Sequence, residues 1–225
     1  KAAKVHPQAM FNPVLMMPSS VVESKIYCLG KEFGSHKARE YFRQSEGREE
    51  LKRSAWGAYD QLVEQYNPIV LEGAGSVSEL NLLETDFVNM PMAEHADAAV
   101  VLVADIERGG VFASIYGSVM LQKPEHRKLI KGVIINKFRG DRSIFEPAIR
   151  MIESLTDIPV LGVLPYMEGE LLPSEDTLSD HGVSKVSYTD ADLEGYEEIF
   201  DKMAEHIRAH VNIDKLYEIL SNDEV

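Results

Sequence analysis

The sequence predicts an α/β fold: a mostly parallel sheet with helices on both faces. Three observations carry that expectation. Apolar runs at 69–71, 98–104, 132–136 and 159–163 are strand-sized and rich in Val, Ile and Leu. Helix-period patterns separate them, as the crossovers of a parallel sheet require. Polar residues stand at the carboxyl ends of the runs, where open α/β sheets bind their ligands.

Each element follows in chain order. Ser24 to Phe33 reads as a small hairpin turning at Gly30. Arg48 to Tyr66 is helical, with Leu51, Ala55, Tyr59, Leu62 and Tyr66 on one face, and Asn67-Pro68 ends it. Ile69 to Leu71 is a short buried strand running into Glu72-Gly-Ala-Gly. Ala98 to Ala104 is apolar without alternation, which predicts a strand covered on both faces. Gly109-Gly110 opens a helix that reaches Leu121. Gly132 to Asn136 is the next strand. Phe145 to Leu155 is a helix with Ala148, Ile149, Ile152 and Leu155 inward, and Pro159-Val-Leu-Gly-Val is a strand. Residues 170–190 read as a loop and 191–225 as closing helices, with Ile199, Phe200, Met203 and Ile207 inward. The four apolar runs are expected to be neighbouring parallel strands.

Composition narrows the partners. The 225 residues carry a formal net charge of -14, with 44% hydrophobic and 27% charged residues. This is the make-up of a globular protein with a sizeable core. Its carboxylate excess repels nucleic-acid backbones and anionic lipid heads, so neither nucleic acid nor membrane is an expected partner. Cys28 is the single cysteine, so no intrachain disulfide forms and a reducing cytoplasm is the expected compartment. No apolar run reaches the length of a membrane span, and Lys1-Ala-Ala-Lys-Val-His-Pro has no signal-peptide core.

Three segments carry chemistry. In Glu72-Gly73-Ala74-Gly75, an acid at a strand end precedes small residues. A carboxylate there suits Mg²⁺, and Gly73 and Gly75 let a ligand approach the backbone. Taken alone, the four residues read first as a strand-to-loop turn with a solvated acid. In Asp105-Ile-Glu-Arg-Gly-Gly-Val-Phe-Ala-Ser114, an acid leaves a buried strand, Arg108 can fork onto a carboxylate or phosphate, and Gly109-Gly110 start a helix whose N–H groups can hold an anion. A capped βα loop with a surface arginine is the other reading. Asn136 ends a strand, and its amide can meet a purine edge or form an Asx turn. A guanine-reading motif needs Asp three residues on, where Arg139 stands.

Other candidates reduce to structure. His206 and His210 have zinc-ligand spacing, but no Glu follows His206, no third ligand is evident, and their charged surroundings suggest a wet face. Cys28 lies in an apolar hairpin strand and reads as a structural thiol. Met16-Met17 and Met90 to Met92 read as packing or adaptable surface.

These segments, in this order, resemble the cobyric acid synthase family. The resemblance rests on Asp105-Ile-Glu-Arg-Gly-Gly-Val-Phe-Ala-Ser, Glu72-Gly-Ala-Gly-Ser and Ile134-Ile-Asn-Lys-Phe-Arg-Gly-Asp. Asn12-Pro-Val-Leu, Ala38-Arg-Glu-Tyr, Asn89-Met-Pro-Met-Ala-Glu and Val160-Leu-Gly-Val-Leu-Pro-Tyr extend it from Lys1 to about Asp176. The Asp-Ile-Glu-Arg-Gly-Gly block is the specific one. Glu-Gly-Ala-Gly is shared with the wider dethiobiotin-synthetase-like ATPases.

The resemblance implies a P-loop NTPase type of sheet and an ATP- and Mg²⁺-dependent amidation of corrinoid carboxylates with ammonia from glutamine. Each carboxylate would pass through an acyl phosphate. It implies Glu72 as the Mg²⁺ ligand and a catalytic acid, with Asp105 the second acid. Asn136, Gly73, Gly75 and Pro165 would contact the nucleotide, and Arg108, Gly109, Gly110 and Ser114 the substrate side.

No Gly-Lys-Ser/Thr loop and no second cysteine occur in the chain. The first strand, the phosphate loop and a partner glutaminase domain are therefore expected outside it. The chain reads as one ATP-binding, substrate-activating domain fragment, 1–225, not expected to act alone. A homodimer is compatible with it. The alternatives are a dethiobiotin-synthetase-like carboxylase, a cobyrinate a,c-diamide synthase, and a non-catalytic partition-type regulatory ATPase. The Arg-Gly-Gly-Val-Phe-Ala-Ser block argues against the first two. The acidic tail Ser-Asn-Asp-Glu-Val argues against the membrane docking common in the third.

Overall fold

The computed structural model describes residues 2–18, 23–37, 45–168 and 190–221. Residues 170–189 of the expected loop lie outside the described residues. The chain forms two compact units, one of residues 6–98 and one of residues 1–5 with 99–225.

The 6–98 unit holds an antiparallel sheet in the order β1 (Val14–Pro18), β2 (Glu23–Cys28), β3 (Lys31–Lys37). The hairpin read from the sequence is β2–β3, and Gly30 turns it at φ +79°, a region open to glycine. Strand β1 adds to that expectation and contains Met16 and Met17. Helix α1 (Ser45–Val63) buries Leu51, Ala58 and Leu62, a stripe of helical period. Ile26, Leu51 and Phe87 form the buried centre, with Val14, Cys28, Phe33 and Ala55 packed on it. Each such large side chain contributes about 1.5–3 kcal/mol by leaving water. Cys28 is thus a packing residue. Trp56 Nε1 donates to Phe87 O at 3.1 Å, joining α1 to the segment that leads into α2 (Met90–His95).

The other unit carries the parallel sheet, in the order β4 (Val100–Asp105), β5 (Ile130–Phe138), β6 (Val160–Pro165). Leu102, Val133, Ile135 and Val163 are buried, with Leu102 in register with Val133 and Ile135 with Val163. Helix α3 (Val111–Met120) follows β4 and lies against β4 and β5; α4 (Pro124–Arg127) is a single turn leading to β5. Helix α5 (Arg142–Thr156) follows β5 and packs against α3. Helices α6 (Asp190–His210) and α7 (Ile213–Ser221) lie against β6. At their junction Val211 bridges Gly162, and Asn212 N donates to Leu161 O at 2.7 Å.

Several expectations are corrected. Ile69 to Glu72 forms no strand, and Val70 is 92% exposed. A strand needs a partner for its backbone groups, and none of the described strands pairs with it. The expected four-strand parallel set is therefore three strands. Strand β4 is an edge of that sheet, and its Val103 is 65% exposed, so its two faces are not both covered. In α5 the inward position is Thr156, whose hydroxyl donates to Ile152 O at 2.8 Å, while Leu155 is 55% exposed. In α6, Ile199, Phe200 and Met203 are half-buried as expected, but Ile207 is exposed, and His206 and His210 are half-buried beside them. His206 Nε2 is 3.0 Å from Pro165 O, and His210 Nδ1 is 2.8 Å from His206 O. The two histidines are half-buried packing and hydrogen-bonding groups, not members of a fully solvated face. Among the described residues, no group of three or more His, Cys, Asp or Glu could hold a metal, and no helix is long and apolar enough to cross a membrane.

Candidate functional site

The carboxyl ends of β4, β5 and β6 form one polar edge. Asp105 ends β4 and is in register with Asn136 of β5. Lys137, the next residue, would face the opposite side of a regular strand. Its backbone is left-handed instead (φ +63°), which breaks the alternation, and its ammonium meets Asp105 Oδ2 at 2.7 Å. Non-glycine residues held in this region cluster at functional sites.

Asp105 is engaged at both oxygens, since its Oδ1 accepts from Glu107 N at 2.8 Å. The charges continue outward. Lys137 Nζ is 3.5 Å from Glu107, and Arg139 is 4.0 Å from the same carboxylate. The Arg139 guanidinium lies 3.4 Å above the centre of the Tyr166 ring. Tyr166 N donates to Phe138 O at 2.9 Å. One alternating series, Asp105–Lys137–Glu107–Arg139, thus ties together the ends of β4 and β5, and Arg139 stacked on Tyr166 extends it to the end of β6.

The Lys137 ammonium, and then the Glu107 N–H, hold the Asp105 carboxyl below the ordinary carboxylate range. Asp105 in turn raises Lys137 above the usual lysine value. The depressed acid contributes above its unfolded pKa and is lost as pH falls through its folded one. The raised base contributes below its unfolded pKa and is lost as pH rises through its folded one. The pair is therefore intact across neutral pH. Its partial exposure limits its weight in stability, and its main effect is orientation.

Beside this series, a cleft of about 380 Å³ opens between Phe138, Arg139, Gly140, Pro165, Tyr166 and His210. That volume is within the range of small-ligand sites. Phe138 is backed by Phe145 at 4.9 Å, which touches Phe112 of α3 at 5.0 Å. Asp141 starts α5 as its N-cap, accepting from Ser143 N at 2.8 Å, and Ser143 lowers its carboxyl pKa.

The sequence-predicted residues divide as follows. Asp105, Asn136 and Pro165 stand at neighbouring strand ends, and Pro165 lines the cleft. Asn136 is half-buried, and its Oδ1 accepts from Lys137 N at 2.8 Å. Gly109 and Gly110 both take left-handed backbone (φ +75° and +71°), and Gly110 is the N-cap of α3. Arg108 and Ser114 are exposed on that loop and helix. Glu72, Gly73 and Gly75 belong to the 6–98 unit, in an exposed irregular segment, with Gly75 at φ +62°. There Asn89 grips the loop, its Oδ1 accepting from Ala74 N at 3.0 Å and its Nδ2 donating to Ala74 O at 2.9 Å.

A family model described as an AAA domain matches residues 23–170, well over half of the chain. The chain belongs to the AAA domain family. The AAA domain's α/β architecture, with its parallel sheet, is P-loop NTPase-like, as the sequence predicts. Among curated proteins, the cobyric acid synthase of Phocaeicola vulgatus is 56% identical over 178 residues, 79% of this chain and 36% of that protein. That of Bacteroides fragilis is 53% identical over the same length and shares. That of Chlorobaculum tepidum is 46% identical over 178 residues, 79% of this chain and 35% of that protein. The resemblance drawn from the sequence blocks is borne out. The AAA domain chain spans about 36% of the length of the first curated relatives it matches. No solved structure matches it.

Sequence reasoning left Lys137, Glu107 and Tyr166 of this AAA domain without a role, and Asn89 unassigned. Their partners lie 15 to 32 residues away for Asn89 and Lys137. The available signal was polarity just past a strand end, which Lys137 and Arg139 both have.

Proposed function

We propose that this AAA domain is the substrate-activating part of a longer, glutamine-dependent cobyric acid synthase of cobalamin biosynthesis. The 56% identity to a protein of that name over 178 residues carries the reading. The partners would be a corrinoid, adenosylcobyrinic acid a,c-diamide, and a glutaminase domain that supplies ammonia. ATP supplies the phosphoryl group that makes each carboxylate a substrate for ammonia.

The residues fit such a role. Mg²⁺ is commonly held by one or two carboxylates plus substrate phosphates and water, so a single exposed acid, Glu72, beside two glycines is a sufficient protein contribution. Asp105 anchors the loop bearing Arg108, Gly109, Gly110 and Ser114, the segment assigned to the corrinoid side. The full-length protein, given ATP, Mg²⁺, glutamine and the a,c-diamide, should yield a product one mass unit lighter per amidation at four positions. No corrinoid product, with carboxylation of diaminopelargonate instead, would replace this reading with the dethiobiotin-synthetase-like one.

The nucleotide base is assigned to the neighbourhood of Asn136 and Pro165, and it is adenine. Asn136 Nδ2 has no hydrogen-bond partner among the described residues, and its Oδ1, already taking Lys137 N, keeps a second lone pair. Guanine would need an acceptor where Arg139, a donor only, is already engaged with Glu107 and Tyr166. Asn136→Ala in the full-length protein should raise the KM for ATP roughly tenfold, the value of one lost polar match of about 1–3 kcal/mol, and narrow the preference over GTP. Equal use of ATP and GTP by the unaltered protein would remove this assignment.

A further inference from the structure

Asn89 immediately precedes α2, where an Asn side chain ordinarily caps its own helix. It makes no such cap. Its amide is turned instead to a residue 15 positions earlier, satisfying both backbone groups of Ala74 as a neighbouring strand would. The approach is close: a Cβ on Gly73 would run into Asn89 Oδ1, so a larger residue there would displace the amide from Ala74.

Asn89 is itself held in place. Asp86 Oδ1 accepts from Val88 N at 2.8 Å and from Asn89 N at 3.1 Å. Pro91 presets the first turn of α2, and Met90 and Met92 are buried beside it. The amide is thus mounted on an anchored helix start. The segment it grips is not otherwise ordered by regular structure, and it contains two glycines, the residues with most backbone freedom to lose.

From this geometry we infer that Asn89 is a positioning residue for the Glu72 carboxylate. By fixing the backbone two residues past Glu72, it fixes the direction in which that carboxylate leaves the chain. The inference rests on the proposal that Glu72 holds Mg²⁺. Ordering the loop before the metal arrives removes a cost that binding would otherwise carry. The chemistry selects Asn: Asp accepts but cannot donate to Ala74 O, and Ala does neither.

The test uses the full-length protein with Asn89→Ala, Asn89→Asp and Glu72→Gln beside the unaltered chain. Mn²⁺ titrated in the presence of ATP and followed by electron paramagnetic resonance reports the metal site. Hydrogen exchange of the peptide containing Ala74 reports the clamp. Asn89→Ala should exchange the Ala74 amide faster, Asn89→Asp less so because it keeps the acceptor for that N–H, and both should bind Mn²⁺ about tenfold more weakly, the scale of a lost outer-shell partner, with glutamine hydrolysis unchanged. A purely structural role would lower the melting temperature and leave the Mn²⁺ affinity of the folded protein unaltered, and that result overturns the inference. If Glu72→Gln weakens Mn²⁺ binding and neither Asn89 variant does, the positioning role fails alone. If Glu72→Gln leaves Mn²⁺ binding intact, the metal assignment of Glu72 fails and the inference fails with it.

Discussion

Glu72→Gln in the full-length protein is expected to lower ATP-dependent amidation by more than the roughly 10–100-fold that outer-shell partners cost, while glutamine hydrolysis stays measurable. The substitution keeps the side-chain shape and removes the charge. Glu72 is exposed in an irregular loop, so its loss leaves no buried group unpaired and should not unfold the 6–98 unit. The cost falls on the metal. Phosphoryl transfer is carried by positioning and by neutralising charge on the phosphate oxygens, and a divalent ion does most of that. Following glutaminase and corrinoid products in the same reaction separates the two halves of the chemistry. Amidation within a few-fold of the unaltered protein would mean that Glu72 holds no metal. Extra Mg²⁺ should recover the Asn89 variants further than Glu72→Gln, since they keep the ligand and lose only its orientation.

Gly162→Ala is expected to lower stability by about 2–3 kcal/mol, the upper part of the usual cost of overpacking. On a unit of this size that is a fall in melting temperature of roughly 5–10 °C. A Cβ at this position would stand 2.5 Å from His210 O and 2.8 Å from Val211 Cα. Both are backbone atoms at the α6–α7 junction, so no side chain can swing away, and the junction or β6 must move. The movement would also strain the Asn212 N to Leu161 O hydrogen bond and expose buried Val211. Gly57→Ala is the matched control. It lies in α1 with nothing within 4 Å of an added Cβ. Alanine there should be neutral or stabilising by about 0.5–1 kcal/mol. Thermal melts of the two variants check both. A Gly162→Ala melt within a degree of the unaltered protein would mean that the helix junction does not rest on β6.

The chain's local patterns settle its α/β class and much of its element order. Continuous apolar runs mark β5 and β6 because strands inside a parallel sheet exclude water along most of their length, and β4 carries the same kind of run although its edge position leaves Val103 exposed. Gly30 marks the hairpin, and Gly109-Gly110 mark the start of α3, because left-handed backbone selects glycine. The blocks from Glu72 to Tyr166 also carry the family resemblance.

What depends on partners distant in sequence is not legible this way. The apolar run at Ile69 has the composition of a strand, but a strand exists only where another backbone receives its hydrogen bonds. Leu155 and Ile207 fit a helical stripe, yet Thr156 and His206 are the residues turned inward. One residue is about 100° of helix, so a small rotation set by what packs against it changes which side chain is buried. Asp105 looks like a free acid at a strand end until a left-handed turn at Lys137, 32 residues on, brings an ammonium to it. Asn89 looks like a helix cap until the fold places Ala74 within reach of its amide. Periodicity records which face of an element is apolar. Only the tertiary structure decides which donor meets which acceptor, because that pairing depends on distances between elements that the order of residues does not contain.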